Sequence, residues 1–90
     1  MPLSRPSNAQ LAQEILELLQ RRRPDATICP SEVARQHGEQ WRELMPRVRE
    51  AASLLGRDGR VVSTRKGIVV EAQDPGGPIR LGRGPRFPAG

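Results

Sequence analysis

From Ser7 the chain reads SNAQLAQEILELLQ, and Leu11, Ile15, Leu18 and Leu19 recur at intervals of three and four. That spacing lines one face of an α-helix. Ser7 and Gln10 stand at capping-box spacing. Arg21, Arg22 and Arg23 complement the negative end of the helix dipole before Pro24 stops the run. DATIC is a short β-prone link. Pro30 then suits a first helical position, where a missing N–H costs nothing, which makes Cys29 the N-cap and lets Glu32 reach back to its backbone. Val33 and Ala34 face inward, and this two-turn helix ends at His37 and Gly38. A third helix runs from about Gln40 to Leu55, because Trp41, Leu44, Met45, Val48, Ala52 and Leu55 keep the helical period, and Trp41 on that stripe is expected to be buried. Pro46 should then lie in its first turn or so, or break it there. Gly56 and Asp58-Gly59 end the helix. RVVSTRKGIVVEA follows as two β-rich runs about a turn at Arg65, Lys66 and Gly67, a hairpin signal, and GGPIRL offers one more extended segment.

Helix, helix, helix, hairpin is the order of a winged helix-turn-helix, an α+β fold of three helices plus a small antiparallel sheet with one wing hairpin. Helix 2, a turn and helix 3 form the helix-turn-helix, and Thr27 to Cys29 supplies the third strand. The expected domain spans residues 7–81. A head, 1–6, and an arginine-containing tail, 82–90, have too little apolar content to order themselves.

The blocks ICPSEVAR, WRELMPRVR and GGPIRL resemble those of a family of short, uncharacterised bacterial proteins with a winged-helix fold. The similarity runs from helix 1 to Leu81. It implies the fold and carries no activity to transfer.

Composition narrows the chemistry. With 36% hydrophobic residues, one Trp, one Phe and no Tyr, the core must be built from Leu, Ile, Val and Ala. A large enclosed substrate pocket is not expected. The lone Cys29 rules out an internal disulfide, and one Cys plus one His cannot supply the four ligands of a structural zinc. His37 falls at the far end of the helix that Cys29 opens, so no nucleophile and base pair arises. The glycines of GRDGR and DPGGP lack the strand-to-helix context of a phosphate loop. Catalytic residues, cofactors and metals are therefore not expected. No apolar run approaches a membrane span or a signal peptide, which makes the cytoplasm the expected address.

Charge points to a partner. Fifteen basic against 10 acidic residues give +5, and every lysine or arginine position except Lys66 is arginine. Opposite its apolar stripe, helix 3 carries Arg42, Glu43, Pro46, Arg47, Arg49, Glu50, Ser53 and Arg57; in a winged helix this face can enter a major groove. Arg65 and Lys66 at the hairpin turn suit the sugar-phosphate backbone. The expected contacts with duplex DNA are Arg42, Arg47, Arg49, Ser53, Arg65 and Lys66, with Arg80, Arg83 and Arg86 adding nonspecific attraction. The competing expectation is a protein partner docked on the same scaffold. A continuous basic face from helix 3 to the wing is the mark of the first, and an exposed Trp41 or an apolar wing face is the mark of the second.

Overall fold

The computed structural model describes residues 6–88. Helix α1 spans Asn8–Gln20, with the Ser7 hydroxyl accepting from the Gln10 N–H at 3.1 Å. Strand β1 is Thr27–Ile28, and α2 is Pro30–Ala34. Glu32 accepts from the Cys29 N–H at 2.8 Å, the reach-back that the sequence suggests. Burial opposes ionisation of this carboxyl, but the Cys29 N–H and the Arg22 guanidinium outweigh it and hold its pKa below the ordinary value. A single 3₁₀ turn, Arg35–His37, leads to Gly38, whose φ of 102° is open to glycine. Helix α3 is Trp41–Arg57. The strands β2, Val61–Arg65, β3, Ile68–Val69, and β4, Arg80–Arg83, complete the chain.

The sheet order is β1-β4-β2-β3, with every neighbouring pair antiparallel. β4 is thus inserted between β1 and the β2–β3 hairpin, and its Leu81 pairs with Ile28 on one side and Ser63 on the other. Leu81, Ile28 and Val61 are buried against Leu11, Ile15 and Leu19 of α1, Val33 of α2, and Val48, Ala52 and Leu55 of α3. Each large aliphatic side chain removed from water in this way contributes about 1.5–3 kcal/mol. Three helices closed over a four-stranded antiparallel sheet, with a β2–β3 hairpin, have the arrangement of a winged helix.

Four details depart from the sequence reading. Pro46 neither sits in the first turn nor breaks α3, which continues through it to Arg57. Trp41 is half-buried, with the guanidinium groups of Arg35 and Arg42 each 4.5 Å from its ring centroid. Cation–π contact lets these arginines cover a ring that the small core leaves partly outside. The second hairpin run leaves the sheet early, since β3 holds only two residues and residues 70–79 form a loop back toward α3. Finally, order does not stop at Leu81. β4 continues to Arg83, the Gly84 N–H donates to the Arg60 carbonyl at 2.9 Å, and the Arg86 N–H donates to the Gly59 carbonyl at 2.8 Å. Backbone pairing needs no apolar content, and Gly84 permits it because a Cβ there would strike the Gly59 backbone. Phe87 packs against the core. Of the expected disordered head, all but Pro6 lies outside the described residues.

Candidate nucleic-acid interface

The helix-turn-helix places the first half of α3 at the surface. Arg42, Pro46 and Arg47 are exposed there, together with Glu39, Glu43 and Glu50. Arg42 lies over Trp41, Arg47 donates to the Pro6 carbonyl at 3.1 Å, and Glu50 accepts from the Asn8 amide at 2.5 Å. Lys66 and Gly67 form the hairpin turn with φ of 53° and 81°. Two consecutive positive φ values make a two-residue turn whose twist matches the flanking strands. The exposed Lys66 stands at its tip.

The remaining three expected contacts are committed within the chain. Arg49 donates from Nε to the Ala72 carbonyl at 2.7 Å and from a terminal nitrogen to the Asp74 carbonyl at 2.6 Å. Ser53 is buried and donates its hydroxyl to Glu71. Arg65 meets the Asp74 carboxylate at 2.8 Å and the Asp74 and Gly77 carbonyls at 3.1 Å each. Two guanidinium groups and one hydroxyl thus clamp the β3–β4 loop onto α3 and β2. The clamp is charge-assisted. The Ser53 hydroxyl, then the Gln73 N–H, hold the Glu71 carboxyl below its ordinary pKa. Arg65, then the Gly76 N–H, do the same for Asp74.

This loop closes over part of the face expected to read DNA, so no continuous basic strip joins α3 to the wing tip. On the outer strand of the sheet, Ile68 and Val69 are 69% and 71% exposed. The wing therefore combines one exposed cation with an apolar edge.

Positive charge gathers instead at the opposite end of β2. Arg83 donates to the carbonyls of Leu19 and Arg22, both at 3.1 Å, and so ties β4 to the C-terminus of α1. Its guanidinium also lies 4.5 Å from the Phe87 ring centroid. Because Gly84 and Arg86 are bonded to Arg60 and Gly59, the segments 20–25, 57–60 and 83–87 converge. They hold seven of the fourteen arginines and, among acidic residues, only Asp25 and Asp58. Sequence reading scatters these arginines over a helix-end triplet, the outer face of helix 3, the start of a β-rich run and a loose tail. Only the pairing of β4 with β1 and β2 brings them together, and strand pairing across some twenty to fifty residues leaves no local signal.

Ser31 donates to the Cys29 Sγ at 3.1 Å, while the His37 Nε2 lies 2.7 Å from a Glu14 oxygen. The two side chains are thus bound up in separate local contacts. A cleft of about 520 Å³ beside α3, lined by Ser53, Arg57, Ser63 and Glu71, is open to solvent. Among the described residues no His, Cys, Asp and Glu side chains group in the threes that hold a metal ion, and no helix is long and apolar enough to cross a membrane.

No curated protein matches the sequence. A family model matches residues 8–84, most of the chain, and on that match the protein belongs to the family described as Protein of unknown function (DUF3253).

Proposed function

We propose that the protein is a non-enzymatic winged helix that binds duplex DNA, with Arg42 and Arg47 on α3 and Lys66 on the wing as the contacts of its helix-turn-helix face. The observation that carries this reading is the exposure of those three cations on the elements by which winged helices meet DNA. Arg49, Ser53 and Arg65 leave the contact set as long as the β3–β4 loop is clamped. Glu39, Glu43 and Glu50 dilute the field on the same side, so attraction from this face is modest. Binding here should be weak on random sequence and steeply reduced by salt.

A titration of duplex DNA, single-stranded DNA and structured RNA at two salt concentrations tests the reading. Salt-dependent preference for duplex, weakened in the R42Q/R47Q/K66Q variant, supports it. Equal affinity of that variant and the parent sinks it. A second reading, docking of a protein partner on the wing, is favoured by two observations: no continuous basic strip joins α3 to the wing tip, and Ile68 and Val69 stand exposed on the sheet edge. It gains if no nucleic acid binds and I68S/V69S removes a stable partner.

A further inference from the structure

We infer that the arginine-rich end formed by residues 20–25, 57–60 and 83–87 is a binding surface for the phosphate backbone of duplex nucleic acid. It goes beyond the helix-turn-helix reading and uses none of Arg42, Arg47 or Lys66.

The groups differ in what they are free to do. Arg83 is half-buried and holds the α1 carbonyls, and Arg22 is paired with Glu32 at 2.9 Å, so both build the surface. Arg21, Arg23, Arg60 and Arg86 are exposed, whereas Arg57, also exposed, lines the α3 cleft beside Glu71 and acts on that carboxylate. Dipole complementarity accounts for cations at the ends of α1 and α3. It does not account for Arg60 and Arg86, which lie beyond the helices on the β2 and β4 sides of the same end. Four exposed guanidinium groups against the carboxylates of Asp25 and Asp58 in the same segments leave an excess of positive charge.

Arginine also decides the kind of partner. Its planar fork takes phosphate oxygens two at a time, which favours a fixed array of phosphates over a diffuse cloud of small anions. An anionic membrane offers phosphates too. Membrane-surface binding, however, relies on several apolar side chains that enter the acyl layer, and this end offers only Leu54, beside Asp58 and Arg60, and a half-buried Phe87. Among the described residues, the other exposed large apolar side chains are Ile68 and Val69, at the wing. A duplex backbone, with its regular rows of phosphates, fits the surface best.

The test compares three proteins for binding of a random-sequence duplex over a range of salt: the parent, R21Q/R23Q/R60Q/R86Q, and R42Q/R47Q/K66Q. The end variant should bind at least about tenfold more weakly at 0.1 M salt, with a slope of log K against log salt shallower by about 3 to 4, as four fewer counterions are released. R21K/R23K/R60K/R86K should retain most of the slope. Should the glutamine variant fail to fold, R21Q/R60Q with an expected slope change of about 2 takes its place. Parent-like affinity and slope in the end variant overturn the inference, whatever the α3 variant does. Loss confined to the end variant upholds it and removes the helix-turn-helix reading. A parent that ignores duplex but sediments with phosphatidylserine-containing vesicles, or binds neither, also overturns it.

Discussion

At the wing, Arg49 and Arg65 direct their donors inward to Ala72, Asp74 and Gly77, and the segment that they hold covers part of α3. At the other end of the sheet, Arg83 turns inward, and Arg21, Arg23, Arg60 and Arg86 around it stay in solvent. Both ends use arginine. The difference lies in what the backbone offers nearby. A ten-residue connection between β3 and β4 exposes carbonyls that no strand satisfies, and the adjacent guanidiniums bind them. The end of β4 instead pairs its backbone with Gly59 and Arg60, leaving the side chains there outside. Arginine at a protein surface is therefore evidence for a phosphate partner only after its internal acceptors have been counted.

The comparison assumes that one core carries both ends, and the largest expected effect tests that assumption. Leu81 is fully buried at the centre of the sheet, so Leu81→Ala should cost about 2–5 kcal/mol, enough to unfold a domain of this size in a denaturant melt. A two-step melt, with one end surviving, would break the comparison. Next in size is the wing clamp. The Arg65 side chain is only 20% exposed and serves three acceptors, so Arg65→Ala should destabilise by about 2–3 kcal/mol. Lys66→Ala, one residue on, should change stability by less than about 0.5 kcal/mol, and Lys66→Gly should raise it by up to about 1 kcal/mol by relieving a positive φ.

That contrast between neighbours also marks the limit of sequence reading. α1 and α3 are legible because Leu11, Ile15 and Leu19, and Leu44, Val48 and Leu55, declare their faces by spacing alone. The start of α2 is legible from Pro30 and Glu32. The Lys66-Gly67 turn follows from its flanking β-rich runs. The fate of Arg49, Ser53 and Arg65 is set by acceptors nine to twenty-five residues away, in a DPGGP-containing stretch with no periodicity to place it. Arg65 and Lys66 look equivalent as letters because both are cations at a turn. They differ because residue 65 is the last of β2 and its side chain lies along the sheet toward Gly77, whereas residue 66 is in the turn itself. The arginine end is likewise hidden, since the low apolar content of residues 82–87 carries no sign that their backbone pairs.

A smaller effect sharpens the difference through pH. Glu71 and Asp74 both have pKa values held below the ordinary carboxylate range, so what they add to stability is complete at neutral pH. It is lost as pH falls through their folded-state values. Amide protection relative to the intrinsic exchange rate should therefore fall on acidification at residues 71–77 before it falls at Arg60 and Gly84, whose pairing is backbone to backbone. Simultaneous loosening of the two regions would count against the clamp. Smallest of all, Arg42→Ala and Arg47→Ala should each alter the melting midpoint by less than about 0.5 kcal/mol equivalent, as expected for exposed residues.

The division of arginines into committed and free groups is most directly tested by the guanidinium Hε signals of the unliganded protein, followed by NMR as exchange with water is accelerated. Arg49 donates its Nε–H to a carbonyl, and the Nε atoms of Arg65 and Arg83 are buried. These three Hε signals should persist, while those of Arg21, Arg23, Arg42, Arg60 and Arg86 broaden away together. If Arg49 and Arg65 exchange as fast as Arg42, the wing is not clamped, the α3 face is open along its length, and the account of this molecule given by its two ends is wrong.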